Sequence, residues 1–271
     1  MLSEDQKNRI SEVIKAISIS RVSKFPKIDQ QNRNAPFHDI ILKTFDKELR
    51  NIKITTPHLI AIASWLHGLS TSLGSGYESL AHILSGGYKR KFTQEFTLKV
   101  KVSQAANIEN IVRELKAGHK VRSPNLVKEN EQIFKFKHDE NEVNALEFTV
   151  DNYLETKNYI EGIELKSVRP NSGEGRGEKQ KILYAKAAFK KLNPSKDIKY
   201  FIGFPFDPTA KDAISYDKER FFNYLVEFKK FFSPKEVLIS SELWDHLSGQ
   251  SHTMEQIFEI ITKTIEKIHK N

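Results

Sequence analysis

The sequence predicts an α/β fold: a central mixed β-sheet flanked by helices, with a helical segment in front of it. Two observations carry this. Up to Gly86-Gly87 the apolar residues recur at helical spacing, and from Phe96 onward segments of period two alternate with segments of period 3.6. Alternation of the two periods along one chain marks strands and helices layered on a common sheet. At 271 residues the chain has room for one large core, or for a core with a subdomain.

The elements follow in order. Ser3 and Gln6 match a capping box, and Ile10, Val13, Ile14 and Ile17 fall on one face of the helix it opens. Pro26, a polar run and Pro36 break that period over residues 23–36, and a second helix is expected from Phe37. Thr56-Pro57 puts Pro at a first helical position, with Leu59 to Leu69 behind it as a largely buried helix. Gly74 and Gly76 are expected to punctuate it before a short helix through Leu84, so residues 1–90 read as a helical N-terminal segment. Phe96, Leu98, Val100 and Val102 then alternate with Thr97, Lys99 and Lys101, as a half-buried strand does. Asn107 is expected to cap a helix holding Ile111, Val112 and Leu115. Two strands, Leu146 to Leu154 and Tyr159 to Val168, are joined by the polar turn Glu155 to Asn158. A loop with Gly173, Gly175 and Gly177 leads into a helix from Glu178 to Leu192, with Ile182, Leu183, Ala185, Phe189 and Leu192 inward. Tyr200 to Phe204 reads as an apolar strand ended by Pro205. A short strand at Val237 to Ile239 and helices around Trp244 and from Met254 to Ile268 complete the chain.

Composition removes several function classes. Without cysteine there is no disulfide framework, thiolate zinc site, iron–sulfur cluster or cysteine nucleophile. The longest mostly apolar stretch, Leu59 to Leu66, covers eight positions, against about 20 for a spanning helix, so no membrane partner is expected. The N-terminus lacks the cationic-then-apolar order of a signal peptide, and a cytoplasmic protein is expected. A net charge of +8, from 43 Lys and Arg against 35 Asp and Glu, points to a polyanion partner. The glycine segment from Gly173 to Lys179 lacks the Gly-Lys-Ser/Thr of a phosphate loop, and no His-x-x-x-His pair or Gly-x-Ser-x-Gly elbow occurs.

The chemistry concentrates on the two central strands. Asp151 is expected mid-strand, and Glu164 and Lys166, two apart on the next strand, leave the same face. Framed by Ile160, Ile163, Leu165 and Val168, charged side chains there are costly unless they pair or bind an ion. Two carboxylates and a lysine converging across neighbouring strands suit a hard cation such as Mg²⁺. A salt bridge between Glu164 and Lys166 is the structural alternative.

With those residues in place, the sequence resembles the PD-(D/E)XK nuclease superfamily, and within it the type II restriction endonucleases. Asp151, Glu164 and Lys166 stand at the acidic residue and the acidic-x-Lys triplet of that pattern, with Val150 where its name has Pro. Glu-Leu-Lys-Ser-Val-Arg-Pro-Asn (164–171) is similar to the acidic-x-Lys-Thr-x-Lys-Pro-Asn signature of the branch that reads GG-N-CC-type sites, with Arg169 replacing a Lys. Ala35 to His38, Ser64 to Thr71, Ile202 to Pro208 and Glu242 to Asp245 resemble further blocks of that branch. The resemblance therefore touches most of the chain.

It implies a restriction-endonuclease-like core over residues 91–271, including the C-terminal helices, behind a helical segment 1–90 used for dimerisation or for embracing DNA. It implies Mg²⁺-dependent cleavage of double-stranded DNA at a short interrupted palindrome, leaving 5′-phosphates. The metal would be held by Asp151, Glu164 and the Leu165 backbone carbonyl, with Glu78 as a further candidate and Mn²⁺ as a substitute. Lys166 would orient or deprotonate the attacking water. From Glu164 to Lys191 eight basic residues face three acidic ones, which is a phosphate-neutralising surplus. Arg169, Asn171 and Arg176 are types that read base edges, and Lys179 and Lys181 are placed to meet phosphates. Gln180 and Tyr184 fit the Gln-x-x-x-Tyr arrangement of exonuclease-like relatives, one helical turn apart. A homodimer is expected from the symmetry of a palindrome, with a methyltransferase protecting the same site. Two rivals remain at this stage: a repair or recombination exonuclease with the same core, and a non-catalytic basic DNA-binding module.

Overall fold

The computed structural model describes residues 1–27, 35–166, 172–225 and 227–270. They divide into two compact units, Glu4–Ser79 with Phe258–Asn271, and Met1–Ser3 with Leu80–Ile257. The chain passes between them at Ser3/Glu4, where the first helix begins, and inside helices at Ser79/Leu80 and Ile257/Phe258, so no division coincides with Gly86-Gly87, where the hydropathy pattern changes.

The first unit is helical. α1 (Glu4–Val22) buries Ile10 and Ile14 and opens with Glu4 and Asp5, acids that suit the positive end of the helix dipole. α2 (Pro36–Leu42) starts with Pro in its first turn, and α3 (Asp46–Asn51) follows after one turn of 3₁₀-helix. α4 (Thr56–Ser85) is one helix of 30 residues and runs straight through Gly74 and Gly76, which the sequence was expected to use as punctuation. Gly76 serves packing instead, as does Gly68: a Cβ at Gly76 would lie 2.7 Å from Ile17 Cδ1, and one at Gly68 would lie 2.6 Å from the Arg21 guanidinium. Trp65 donates its indole N–H to the Arg21 carbonyl at 3.0 Å, with Phe25 packed edge-on against its ring.

The second unit is built on a five-stranded sheet, consistent with the restriction-endonuclease-like fold. Its strands are β1 (Tyr88–Phe92), β4 (Phe148–Glu155), β5 (Tyr159–Leu165), β6 (Asp197–Phe204) and β7 (Val237–Ile239), in that spatial order. β1–β4 and β4–β5 are antiparallel and β5–β6 and β6–β7 parallel, so the sheet is mixed. Parallel neighbours need a crossover connection, and α7 (Ser172–Leu192) supplies it between β5 and β6. A small second sheet pairs β2 (Lys99–Lys101) with β3 (Glu142–Asn144). α5 (Val102–Ala117), α6 (Leu126–Phe134), α8 (Lys218–Tyr224), α9 (Ser241–Ser248) and α10 (Thr253–Lys270) complete the elements. Phe92, Phe148, Tyr153 and Phe189 interlock in the core, with ring centroids between 4.9 and 6.0 Å apart. No helix among the described residues is long and apolar enough to cross a membrane.

Three expectations are corrected here. The strand expected over Phe96 to Val102 shrinks to three residues, because Gln104 takes the Lys101 backbone N–H on its side-chain oxygen at 3.0 Å and starts α5 at Val102. Asn107 therefore lies inside α5 rather than capping it. The expected glycine loop before Glu178 is also helical, since α7 begins at Ser172. β1, β3 and α6 lie where the sequence reading placed no element.

Candidate active site

Register brings the acidic residues together. Asn152 on β4 pairs with Ile163 on β5, so Asp151 and Glu164, the next residues on each strand, leave the same face side by side. Asp151 Oδ2 accepts the Leu165 backbone N–H at 3.0 Å, which fixes its carboxylate against the strand that carries Glu164. The Asp151 carbonyl accepts from His82 Nε2 at 2.7 Å, and Lys89 Nζ stands 3.7 Å from Oδ1. Lys166 follows β5 and continues its ladder by donating its backbone N–H to the Gly203 carbonyl at 2.9 Å.

Helix α7 lays a second row of charges over this pair. Glu174, Glu178 and Lys181 recur at four and three residues, hence on one helical face. Lys166 Nζ lies 2.9 Å from Glu178, 3.5 Å from Glu164 and 3.5 Å from Glu174. Lys181 Nζ bridges Glu164 at 2.8 Å and Glu178 at 2.6 Å. The anticipated Glu164–Lys166 contact is thus one edge of a larger network.

The electrostatics follow from burial. Loss of water, together with the charges of Asp151 and Glu178, pushes the Glu164 carboxyl up to about 7 against the pull of Lys181. Burial works against the Lys166 ammonium, yet Glu178, Glu164 and Glu174 outweigh it and raise its pKa above the ordinary lysine value. Glu178 is buried too, but Lys181 and Lys166 hold it below the usual carboxylate range. In this arrangement Lys166 is a locked cation and a poor base.

The other sequence-predicted residues separate into groups. Lys179 is fully buried, held between Glu129 on α6 at 2.6 Å and Glu236 at 2.5 Å, so its expected place on a DNA face is corrected. Buried charges demand partners of this kind, and two carboxylates supply them. Lys186 is buried beside the same cluster. Lys190 donates to the Lys196 carbonyl and Lys191 pairs with Glu142, so the basic surplus of α7 is largely consumed inside the protein. Arg176 is exposed and has no ion-pair or hydrogen-bond partner among the described residues. Gln180 and Tyr184 do face the same way: both donate to Glu109 Oε1 on α5, at 2.7 and 2.9 Å. Arg169 and Asn171 lie outside the described residues. Glu78 lies on α4 within the helical unit.

Sequence reasoning missed Glu178 and Tyr200. Glu178 was legible in principle through the Glu174–Glu178–Lys181 spacing, had the helix been extended back over the glycines. Tyr200 pairs in register with Gly162 and so leaves the same sheet face as Glu164, under the carboxylates.

Donor chemistry is the test for a divalent cation. Among the described residues no group of three or more His, Asp or Glu is arranged to hold a metal. Asp151, Glu164 and the Leu165 carbonyl remain, and Glu164 Oε2 is buried with no hydrogen-bond partner. That set fits Mg²⁺, which binds through one or two carboxylates and fills its octahedron with water and phosphate oxygens.

Paired carboxylates and a charged lysine on a mixed sheet, beside a crossover helix, have the chemistry that a metal-assisted phosphodiesterase site requires. Comparison with known proteins specifies it. A model of the family described as type II restriction endonuclease, HinfI, matches residues 2–265, and the chain belongs to that family. It is also 45% identical over 261 residues to the type II restriction enzyme MjaII of Methanocaldococcus jannaschii, covering 92% of this chain and 69% of that protein. The chain is a site-specific deoxyribonuclease acting on double-stranded DNA.

Proposed function

We propose that Asp151, Glu164 and Lys166 form the PD-(D/E)XK-type centre of a Mg²⁺-dependent enzyme that hydrolyses both strands of a short interrupted palindrome of the GG-N-CC kind, leaving 5′-phosphates. The observation that carries this reading is the side-by-side emergence of Asp151 and Glu164 with Lys166 at 3.5 Å from the latter. Asp151, Glu164 and the Leu165 carbonyl would hold the cation. Bound there, Mg²⁺ or Mn²⁺ would supply a Lewis acid for the scissile phosphate and for activation of water. Lys166, kept charged by Glu178 and Glu174, orients the attacking water and steadies the negative charge that grows on the phosphate. Lys181 sits where a phosphate oxygen can replace Glu164 as its partner. Arg176, with Arg169 and Asn171 beyond the described segment, is the candidate set for contacting DNA, and Gln180 joins it only if its bond to Glu109 opens.

The palindrome supports a two-fold homodimer, and a methyltransferase of the same specificity is the expected companion in the host. Digestion of closed circular plasmid with Mg²⁺, followed by sequencing of the ends, tests site, stagger and end chemistry together. Lys166→Ala is expected to lower cleavage by at least about 10²-fold, the scale of losing one charge-stabilising group, with DNA binding largely kept. Cleavage by Lys166→Ala at the wild-type rate would refute the assignment.

A further inference from the structure

The sheet face that carries the carboxylates also carries a hydroxyl with no partner. Tyr200 is 3% exposed, and its Oη makes no hydrogen bond. Glu164 Oε2 is likewise buried and unpartnered, while its Oε1 meets Lys181 and Lys166. Gly162 pairs with Tyr200 and Glu164 with Ile202, so the tyrosine and the glutamate are diagonal neighbours on adjacent strands. A Cβ at Gly162 would lie 2.7 Å from Tyr200 Cε2 and 2.8 Å from Cδ2. Only glycine at that position lets the ring lie flat across β5 beneath the carboxylates. Burial and the charges of Glu164, Glu178 and Asp151 keep the phenol protonated far above its ordinary pKa, so it remains a donor.

We infer that Tyr200 is a positioning residue whose hydroxyl donates to the Glu164 carboxylate and holds it ready for the divalent cation. A buried donor and a buried acceptor that each lack a partner are costly to leave unmade, which favours their engagement with each other. Charge distinguishes this donor from the other two. Lys166 and Lys181 also favour ionised Glu164, but their positive charges oppose a cation arriving at the same oxygens. A neutral hydroxyl favours the carboxylate without that opposition. Tyr200 is thus suited to remain on Glu164 when the lysines give way, as outer partners of ligating carboxylates commonly do.

The inference rests on the metal reading proposed above, and the experiment separates the two. Mn²⁺ is titrated into DNA-free protein and the unbound ion followed by its electron paramagnetic resonance signal, for wild type, Glu164→Gln and Tyr200→Phe. Phenylalanine keeps the ring over Gly162 and removes only the oxygen, so melting temperature and circular dichroism should hold. Tyr200→Phe is expected to weaken Mn²⁺ binding about tenfold, the scale seen for outer-shell partners, and Glu164→Gln to remove the site. Wild-type affinity in Tyr200→Phe, with the Glu164→Gln loss intact, overturns the role of Tyr200 alone. Equal Mn²⁺ binding by wild type and Glu164→Gln overturns the metal reading and this role with it.

Discussion

At the scale of single residues the chain separates charges at the candidate site from charges sealed inside the fold. Lys166 and Lys179 are both lysines amid glutamates, but Lys166 retains some exposure at a site edge whereas Lys179 is sealed between Glu129 and Glu236. The sequence displayed both as candidates, and the burial of Lys179 takes it off the DNA face. The acidic-x-Lys triplet stood out because strand periodicity fixes which side chains share a face. Nothing local told Lys179 from Lys181, since helix orientation about its own axis is set by packing partners distant in sequence. Lys186 gives this contrast a measurable form. Fully buried, its ammonium is driven from the ordinary 10.5 down to about 8 by desolvation, with the charge of Lys179 adding to the effect. The folded state therefore binds that proton less tightly than the unfolded chain. The cost is present in full below pH 8 and disappears as pH rises through 10.5. Lys186→Met should then stabilise the protein at pH 7 by roughly 2–3 kcal/mol, and the gain should fade by pH 11, as thermal melts across that range would reveal. A lowered melting temperature at pH 7 would mean that attraction to Glu129 and Glu236 outweighs burial.

At the scale of elements, periodicity located the central strands to within a few residues and erred at Gly74, Gly76 and the glycines of 173–177, where glycine was taken as a stop. β4 and β5 frame their turn as expected, because alternating Val, Ile and Tyr have one way to bury a face. α4 and α7 run through glycines because packing against neighbours offsets the lost propensity, which amounts to about 1 kcal/mol per residue. β1, with the exposed pattern Tyr-Lys-Arg-Lys-Phe, is a strand only because β4 pairs with it, and Arg90 lies over the Phe92 and Tyr153 rings. The glycines can be told apart by experiment. Nothing lies within 4 Å of a Cβ at Gly74, so Gly74→Ala should raise stability by about 0.5–1 kcal/mol. At Gly76 the added methyl meets Ile17, and the gain should vanish or reverse. Equal melting shifts for the two variants would show that packing does not decide between them.

At the scale of the whole molecule, the net charge of +8 signalled a polyanion, and family membership bears out the DNA partner, yet the charge does not lie where the sequence placed it. A count of charges has no direction, and α7 turns most of its described lysines inward to Glu129, Glu236, Glu164, Glu178 and Glu142. Affinity for the backbone must then draw on cations elsewhere, and the proposed two-fold dimer would double the number of DNA-facing surfaces. In the proposed dimer the same symmetry would set the kinetics. A dimer holding one centre on each strand cuts both strands of a palindrome in a single encounter, whereas a monomer must leave a nick and rebind. Sedimentation equilibrium should give a mass near twice 31.3 kDa. Supercoiled plasmid bearing one site should pass to linear product with little nicked circle at any time. A monomer mass together with nicked circles that rise and then decay would instead assign one strand to each binding event, and the palindrome would be read in two visits.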